Sequence, residues 1–457
     1  MAQSISQEAI GATGLPGATA ASRHAGATTS GAPTTGTFAV GDYVVDQTGA
    51  MYVCTVAGTP GTWQLSGVSV NENIAGKNFV INGGMDIWQR GTSFSTSSGN
   101  IYTADRYCFT SGGNAATVSQ VTSGAFNGTS TAVSSTTLTM SSATWNTNAY
   151  VGYTVTSGSS TATVTSNTAT VLTFSAWTGG TPSTGSFSIV GQISFQYAHR
   201  VQRNSGTSGT AGMYLCQSLE TKNSIPMAGQ TVTWSFWARA GANYSQSGST
   251  LYVQLVTGTG TDQNVLVSYT GQASPINTVV GITTSWQKFT LTTPIASTVT
   301  EIAPLWAQIP TGTAGANDYF DITGVQLEIA PQATPFSRAG GSIGGELALC
   351  QRYYQQPVST ASYQIFGVGT MYSATSLTCL IPLIVQMRIA PSVTFSANSN
   401  WNIQQAGGFA VTSLSAFTVT PTAINASVNT SISLLSGGGG ILISNGSGAA
   451  IYITAEL

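Results

Sequence analysis

The chain has 457 residues, of which only 6% are charged, and its formal net charge is −2. This length predicts about three compact units with linkers, and the charge leaves no basic face for a phosphate backbone, which argues against nucleic-acid binding. No apolar run approaches the roughly 18 residues that cross a bilayer, and no basic and apolar leader opens the chain. Neither membrane insertion nor export is therefore predicted.

Five cysteines are spread widely along the chain. Because their number is odd and their spacing suits no metal site, we expect small buried hydrophobic residues in a protein folded in a reducing cytosol. The abundant Gly, Ser and Thr residues are typical of an extracellular-type β protein. The composition therefore indicates a surface-type β protein that is assembled in the cytoplasm.

The N-terminal region divides into two parts. Residues 1–35 are rich in Ala, Gly, Thr and Ser without a hydrophobic period, which predicts a flexible arm. Residues 36–66 carry short apolar runs around Tyr43, Tyr52 and Trp63 separated by turns, which predicts a small β module. A unit of this size holds little core, so we expect a neighbour or further copies of the chain to help bury its aromatic residues.

Residues 78–91 combine an apolar run, a Gly-Gly turn and Trp88, and predict the first strand of the largest domain. We expect this strand to lie beside the closing strand at residues 319–328, with Trp88 in the core. In the next predicted strand, Asp105 and Arg106 are interpreted as a turn-stabilising pair, with a functional site as the alternative. The large domain spans residues 77–340, and the period-2 segments at 131–190 predict a small β module inserted into it.

Residues 231–239 alternate strictly between two faces. Val232, Trp234 and Phe236 share the face assigned to the core, whereas Trp237 and Arg239 project from the opposite face. With the further strands that follow, this pattern predicts two packed antiparallel sheets.

Glycines open the segment 341–357, whose apolar residues then recur at helical spacing from Glu346 until Pro357. So short a helix must pack on a domain or on copies of itself. Its packing candidates are Leu347, Cys350, Tyr353 and Tyr354. Residues 358–457 are β by pattern and predict a distal domain.

Several motifs, in this order, resemble bacteriophage fibre and appendage proteins that carry a jelly roll of the carbohydrate-binding-module kind. They are Ser-Phe-Trp-Ala-Arg at 235–239, Ser-Trp-Gln-Lys-Phe at 285–289, Phe-Asp-Ile-Thr-Gly-Val-Gln-Leu-Glu at 320–328, Ala-Thr-Pro-Phe-Ser-Arg at 333–338 and Cys-Gln-Arg-Tyr-Tyr at 350–354. With the opening stretch, the jelly-roll pattern covers residues 77–340. The resemblance implies an all-β fold of serial sandwich modules with one short connecting helix, assembled as a homotrimeric fibre.

Three carboxylates, Asp86, Asp318 and Asp321, are candidates for a structural Ca²⁺ site at the sandwich edge, because Ca²⁺ prefers oxygen ligands and related modules often carry one. No other cofactor is expected. His199 is interpreted as a structural histidine, and no catalytic carboxylate pair or triad stands out, so the sequence predicts no enzyme.

Binding of a glycan fits the composition better than catalysis does. Trp401 lies in a polar Asn-rich segment with Asn400 and Asn402, and these residues are the first candidates for sugar contact. Trp237 and Arg239, on the face away from the core, are the second. For both tryptophans the alternative is burial in a core or an interface.

The resemblance implies a virion fibre whose N-terminal region binds other virion proteins and whose distal part recognises host-surface polysaccharide. One alternative is a structural head fibre or decoration protein without receptor binding. A depolymerising tailspike is the other.

Overall fold

The computed structural model describes residues 24–29, 31–47, 51–66, 75–122, 126–143, 145, 150, 153–190, 193 and 195–457. The chain divides into a unit up to Glu72 and a unit from Asn73 to Leu457. The predicted all-β class is confirmed. Among the described residues, no helix is long and apolar enough to cross a membrane.

The first unit is a four-stranded sheet in the order β1-β2-β3-β4. Part of the predicted flexible arm is a strand here: β1 pairs in parallel with β2 and covers an edge that would otherwise expose unpaired backbone groups. The remainder of the predicted arm, residues 1–23 and 30, lies outside the described residues. The strands are β1 His24–Thr28, β2 Tyr43–Asp46, β3 Met51–Val56 and β4 Thr62–Ser66.

The predicted first strand at residues 78–91 is wrong, because these residues form turns and no strand. Asn82 and Met85 adopt positive φ angles of 60° and 58° there, which a strand does not allow. The predicted neighbour is nevertheless correct. Asn78 Nδ2 donates to the Val325 carbonyl at 2.9 Å, and Leu327 N donates to Asn78 Oδ1 at 3.0 Å, so an amide side chain replaces the expected ladder.

The sandwich strands that precede the inserted segment are short. The segment predicted as one strand around Asp105 is broken by a turn. These strands are β5 Ser93–Thr96, β6 Asn100–Tyr102, β7 Cys108–Thr110 and β8 Ala116–Thr122.

The inserted segment forms a seven-stranded sheet in the order β10-β11-β14-β13-β12-β15-β9. Its core includes Leu172 and Phe174 and continues onto Trp286 and Trp237 of the sandwich. The inserted sheet therefore covers part of the sandwich surface. Its strands are β9 Phe126–Thr129, β10 Ala132–Val133, β11 Thr137–Thr139, β12 Thr154–Ser157, β13 Ser160–Asn167, β14 Val171–Phe174 and β15 Ser186–Val190.

After the insertion the chain completes two six-stranded sheets. The first sheet has the order β21-β18-β23-β16-β8-β5 and the second sheet β20-β19-β22-β17-β7-β6. The strands are β16 Tyr197–Arg203, β17 Met213–Cys216, β18 Thr231–Ala240, β19 Thr250–Gly258, β20 Ala273–Gly281, β21 Gln287–Pro294, β22 Glu301–Gln308 and β23 Tyr319–Ile329. A four-residue helix, α1, spans Thr221–Ser224.

The core between the two sheets uses the inward positions of alternating strands. Val232, Trp234, Phe236 and Ala238 of β18 all belong to it, which confirms the predicted core face. Trp234 and Trp306 meet edge to face, with ring centroids 5.0 Å apart.

Helix α2 spans Ile343–Gln351, so it begins and ends earlier than the sequence predicts. Ser342 caps it by accepting a hydrogen bond from Gly345 N. Cys350 and Tyr353 pack with Ile81 and Ile87 of the sandwich. The predicted packing residues therefore face this chain, except Leu347, which is 36% exposed; Tyr354, beyond the helix, is buried in a strand.

The distal segment is a closed six-stranded barrel, β25-β26-β30-β29-β28-β31, beside a three-stranded sheet, β24-β32-β27. Its core includes Leu377, Trp401 and Leu442. The strands are β24 Tyr354–Gln355, β25 Ile365–Ser373, β26 Ser376–Pro382, β27 Ser392–Phe395, β28 Trp401–Gln404, β29 Gly408–Val419, β30 Ala423–Thr430, β31 Gly439–Ser444 and β32 Ile451–Thr454.

Candidate functional site

The second sheet presents two tyrosines on its outer face. Tyr214 of β17 and Tyr252 of β19 are both register partners of Ala307 on the strand between them. Both rings are half-buried, whereas Ala307 is fully buried beneath them. The two rings therefore flank a small, fully buried residue on the outer face of the sheet. We call Tyr214, Tyr252, Gln254 and Asn277 the tyrosine face.

Amide side chains complete the tyrosine face. Gln254 and Asn277 are register partners on β19 and β20, one row away from Tyr252. Gln254 Nε2 donates to the Tyr252 hydroxyl at 3.1 Å and to Asn277 Oδ1 at 3.2 Å, and the Tyr252 hydroxyl donates to the same Asn277 oxygen. These bonds hold the two amides in one orientation while Asn277 stays exposed.

Two rows of paired residues cross the outer face of the second sheet at the tyrosine face, and neither row carries a charged residue. One row runs Tyr214, Ala307, Tyr252 and Val279, and the next runs Cys216, Leu305, Gln254 and Asn277. Buried Val265 and Tyr269 of the loop between β19 and β20 pack against the second row, which narrows the open surface. Rings that offer an apolar face beside fixed amide donors and acceptors suit an uncharged, hydroxyl-rich ligand.

Trp401, the first glycan candidate, is not an exposed loop residue. It begins β28, is fully buried, and meets Phe366 edge to face with ring centroids 4.8 Å apart. Its neighbours in sequence are different: Asn400 and Asn402 are half-buried at the surface, where their amides donate to Gly448 O and Asn445 Oδ1. The structure therefore separates the indole from the two asparagines and removes it from any sugar contact.

Trp237 and Arg239 project away from the sandwich core, as predicted, but the inserted sheet covers them. Trp237 packs against the core of that sheet, and Arg239 is only 5% exposed. Arg239 lies over the Trp286 ring, with its guanidinium carbon 4.7 Å from the ring centroid. Its Nε donates to Asp321 Oδ2 at 2.8 Å. This pair therefore joins the inserted sheet to the sandwich and is no open platform.

The three carboxylates of the expected calcium site do not meet. Asp86 pairs with Arg338 at 2.8 Å, and Asp318 pairs with Arg203 at 2.8 Å. Across the part of the chain that is described, no three His, Cys, Asp or Glu residues are grouped as metal ligands. The expected site is corrected to separate ion pairs, because each carboxylate faces an arginine.

Asp321 shows the electrostatics of these pairs. Arg200 Nε donates to Asp321 Oδ1 at 2.8 Å, and Arg239 binds the other oxygen. Burial opposes the charge of Asp321, yet the two guanidinium groups hold its pKa below the ordinary value. Both oxygens of the carboxylate are therefore held by guanidinium groups.

His199 is structural, as expected. Burial lowers its pKa to about 3, so the ring is neutral at ordinary pH. Its Nε2 lies 2.8 Å from the Thr103 hydroxyl, and Trp88 stacks on the ring at 5.2 Å between centroids. Trp88, half-buried against the sandwich core, is a packing residue, as the sequence suggested.

Asp105 and Arg106 do not form the predicted turn pair. Both are buried, and each bonds elsewhere: Asp105 accepts from Gln89, and Arg106 pairs with Glu456 near the end of the chain. Arg106 also lies over the Tyr353 ring at 3.5 Å. Arg106 therefore connects the sandwich to the barrel segment, whereas Asp105 bonds within the sandwich.

Comparisons with known proteins found solved structures of low similarity and no sequence family. No protein-family model matches the chain, and no curated protein matches it. One similar solved structure, described as "CBM4 structure and function", is 16% identical with a TM-score of 0.21 and covers 29% of this chain and 71% of its own.

Two further solved structures are similar at the same level. The tandem CBM22-1–CBM22-2 domain of Paenibacillus barcinonensis Xyn10C is 12% identical with a TM-score of 0.20, over 56% of this chain and 98% of its own. The enzymatically active domain of bacteriophage CBA120 tailspike protein 4 is 10% identical with a TM-score of 0.20, over 30% and 16%.

Sequence reasoning missed the tyrosine face. Tyr214 and Tyr252 lie in the strands Met213–Cys216 and Thr250–Gly258. The available signal was that each tyrosine occupies the outward phase of its strand. Their meeting across Ala307 depends on strand order, which no local pattern carries.

Proposed function

We propose that this protein is a virion fibre protein that binds an uncharged host-surface glycan through the tyrosine face. The observation that carries the proposal is the pair Tyr214 and Tyr252 flanking Ala307 on a charge-free sheet surface. Sugar rings stack their CH faces on such aromatic rings. The fixed amides of Gln254 and Asn277 supply hydrogen bonds to sugar hydroxyls.

The proposed glycan site lies on the sandwich and not on the distal segment, where the sequence predicted it. That prediction depended on Trp401, which is a core residue. Binding without cleavage is proposed, since Asp86, Asp318 and Asp321 are each bonded to arginine and none belongs to the tyrosine face. A reducing-end assay on bound polysaccharide should therefore detect no sugar release.

Homotrimer assembly forms part of the proposal, and the barrel supports it. Only two residues of the segment 358–457, Arg388 and Glu456, are charged, and both form ion pairs with the sandwich. Its surface instead exposes large apolar side chains such as Tyr372, Leu435 and Ile365, which are 84%, 72% and 62% exposed. A surface of this kind tends to associate, and copies of the chain are the proposed partner.

Attachment to the virion through the N-terminal region, and a location in the virion after assembly in the host cytoplasm, complete the proposal. They are supported by the phage-fibre motifs at 333–338 and 350–354 and by the small N-terminal sheet. Light scattering of the purified protein should give the mass of a trimer; a monomer would contradict this part.

The glycan proposal is tested on an array of bacterial polysaccharides with the full-length protein and with Tyr214→Ala and Tyr252→Ala. Each substitution should weaken binding at least about tenfold, which corresponds to about 1.4 kcal/mol. Tyr363→Ala, which removes an exposed tyrosine of the barrel segment, is the matched control and should bind normally.

The second candidate is a structural decoration protein without receptor binding. The packing of half-buried Trp237 and of fully buried Trp401 favours it, because both predicted sugar platforms prove to be packing residues. Array binding that is absent, or that is unchanged in both tyrosine variants, would support this candidate and remove the tyrosine face as a glycan site.

A further inference from the structure

A second concave surface lies between the sandwich and the barrel segment. It is a cleft of about 480 Å³ whose walls include Phe94, Ser95, Tyr102, Tyr354 and Thr454, with Arg90 between them. Phe94 and Ser95 come from the edge strand of the first sheet, and Tyr102 comes from the edge strand of the second. Tyr354 and Thr454 come from β24 and β32. Neither the sandwich nor the barrel segment forms this cleft alone.

Arg90 organises the aromatic rings of the cleft. Its guanidinium carbon lies 3.6 Å from the centroid of Tyr354 and 5.4 Å from that of Tyr102. Nη2 donates to Glu456 Oε1 at 2.9 Å, and Nη1 lies 3.7 Å from Asp105 Oδ1. Both carboxylates are buried, so the positive charge of Arg90 is balanced inside the protein.

The hydroxyls of the two tyrosines of the cleft are both engaged in hydrogen bonds within the protein. The Tyr102 hydroxyl donates to the Leu457 carbonyl at 2.7 Å, and the Tyr354 hydroxyl donates to Gln356 Oε1 at 2.8 Å. Burial raises the pKa of Tyr354 to about 12, so its phenol stays neutral. The inner wall therefore combines aromatic rings with the guanidinium of Arg90, while the hydroxyl-bearing Ser95 and Thr454 are exposed at the rim.

We propose that this cleft is a second saccharide site, which takes one or two residues of a neutral sugar chain. Its volume falls within the roughly 300–1,000 Å³ of small-ligand sites, which favour domain interfaces. Phe94 and Tyr102 accept the CH face of the sugar, and Ser95 and Thr454 bond its hydroxyls at the rim. The ligand class rests on the proposed function, but the site is separate from the tyrosine face.

Two sites on one chain have a consequence for binding strength. A polysaccharide that engages both sites binds the second one at a raised effective concentration, so the overall affinity exceeds that of either site. In an assembly of several copies the gain is repeated. Weak individual sites therefore suffice for firm attachment to a repetitive surface.

The test fills the cleft without touching Arg90 or its ion pairs. Ser95→Trp places a large side chain at the rim, and Ser93→Trp is the matched control. Both serines are exposed on β5, two residues apart and hence on the same face, but only Ser95 lines the cleft. Both changes are made in the full chain carrying Tyr214→Ala and Tyr252→Ala, and melting temperatures confirm that all variants fold.

Binding is measured by isothermal titration with neutral oligosaccharides built from hexoses, N-acetylhexosamines and deoxyhexoses, up to high-millimolar concentration. We expect the double tyrosine variant to retain weak binding, Ser95→Trp to reduce it at least about tenfold, and Ser93→Trp to leave it within about twofold.

Other outcomes overturn the proposal in different ways. If the double tyrosine variant loses all binding, the cleft is no saccharide site although the proposed function stands. If residual binding survives Ser95→Trp, a different surface holds the sugar. If the unmodified chain binds none of these oligosaccharides, both this proposal and the neutral-glycan function fail.

Discussion

Glu456 is the residue whose loss tests most directly how the barrel segment is held on the sandwich. One carboxylate oxygen accepts from Arg90 Nη2 at 2.9 Å, and the other pairs with Arg106 Nη1. Arg106 is 2% exposed and also donates to the Ser218 carbonyl at 2.7 Å. Asp105 is the other carboxylate beside Arg90, so replacing Glu456 by Gln leaves two buried guanidinium groups with one negative partner.

The expected loss of stability in Glu456→Gln follows from the unbalanced charge of the two arginines. Breaking a buried ion pair by removing one partner costs about 3–5 kcal/mol, because the remaining charge stays out of water without compensation. Native domains are stable by only about 5–15 kcal/mol, so Glu456→Gln should remove a large share of the stability of the joined unit. The isosteric amide keeps the volume, which excludes a cavity as the cause.

Urea unfolding followed by tryptophan fluorescence measures the effect, with Glu328→Gln as the matched control. Glu328 is also buried, but its carboxylate accepts only from Thr334 and Gln326 and faces no arginine. Its replacement should cost about 1–3 kcal/mol. A cost for Glu456→Gln below 1 kcal/mol, or equal to that of the control, would refute the argument that charge balance holds this junction.

Three further predictions concern residues whose roles the structure changed or defined. Because the pKa of His199 is lowered to about 3 in the folded chain, against 6.5 for an unperturbed histidine, the unfolded chain binds the extra proton and stability falls as pH drops below 6.5. The loss reaches about 2 kcal/mol at pH 5, and a His199→Gln variant that still folds should show a flatter stability curve between pH 6.5 and 5. Trp401→Ala should destabilise the barrel by about 3–5 kcal/mol through cavity formation but leave array binding of the folded protein unchanged; selective loss of glycan binding would restore it as a sugar contact. Chelation by EDTA should not shift the melting temperature, since arginines occupy the three expected calcium ligands, and a lowered value would show that a metal is bound elsewhere.

Much of the architecture follows from local sequence pattern. The strict alternation of residues 231–239 predicts both the strand Thr231–Ala240 and its core face, because successive side chains in a strand point to opposite sides. The short segments of the inserted module are visible from the same period-2 alternation. The helix near residue 346 is visible from apolar residues at helical spacing. The five cysteines are buried free thiols, as their spacing indicated.

The period-2 alternation of a strand assigns each residue to one face of the sheet, but it does not determine what packs against that face. Trp237 and Arg239 lie on the outward side, and only the inserted sheet, folded back on the first sheet, determines that Trp237 is half-buried and Arg239 buried. Trp401 stands among polar residues, yet the closed barrel places it inside, because its strand pairs with β29 and β31. Burial in these cases is set by contacts between residues far apart in the chain.

The ion pairs and the two candidate sites depend on the same distant contacts. Asp105 and Arg106 are adjacent in sequence, yet Arg106 forms its ion pair with Glu456, which lies 350 residues away in the chain. Tyr214 and Tyr252 become neighbours only through Ala307, and Arg90 meets Tyr354 only where the barrel segment docks. Local composition and alternation determined the all-β class, the strands and their inward faces. Tertiary structure alone decided which outward faces stay open to a ligand, since exposure depends on what packs against each strand.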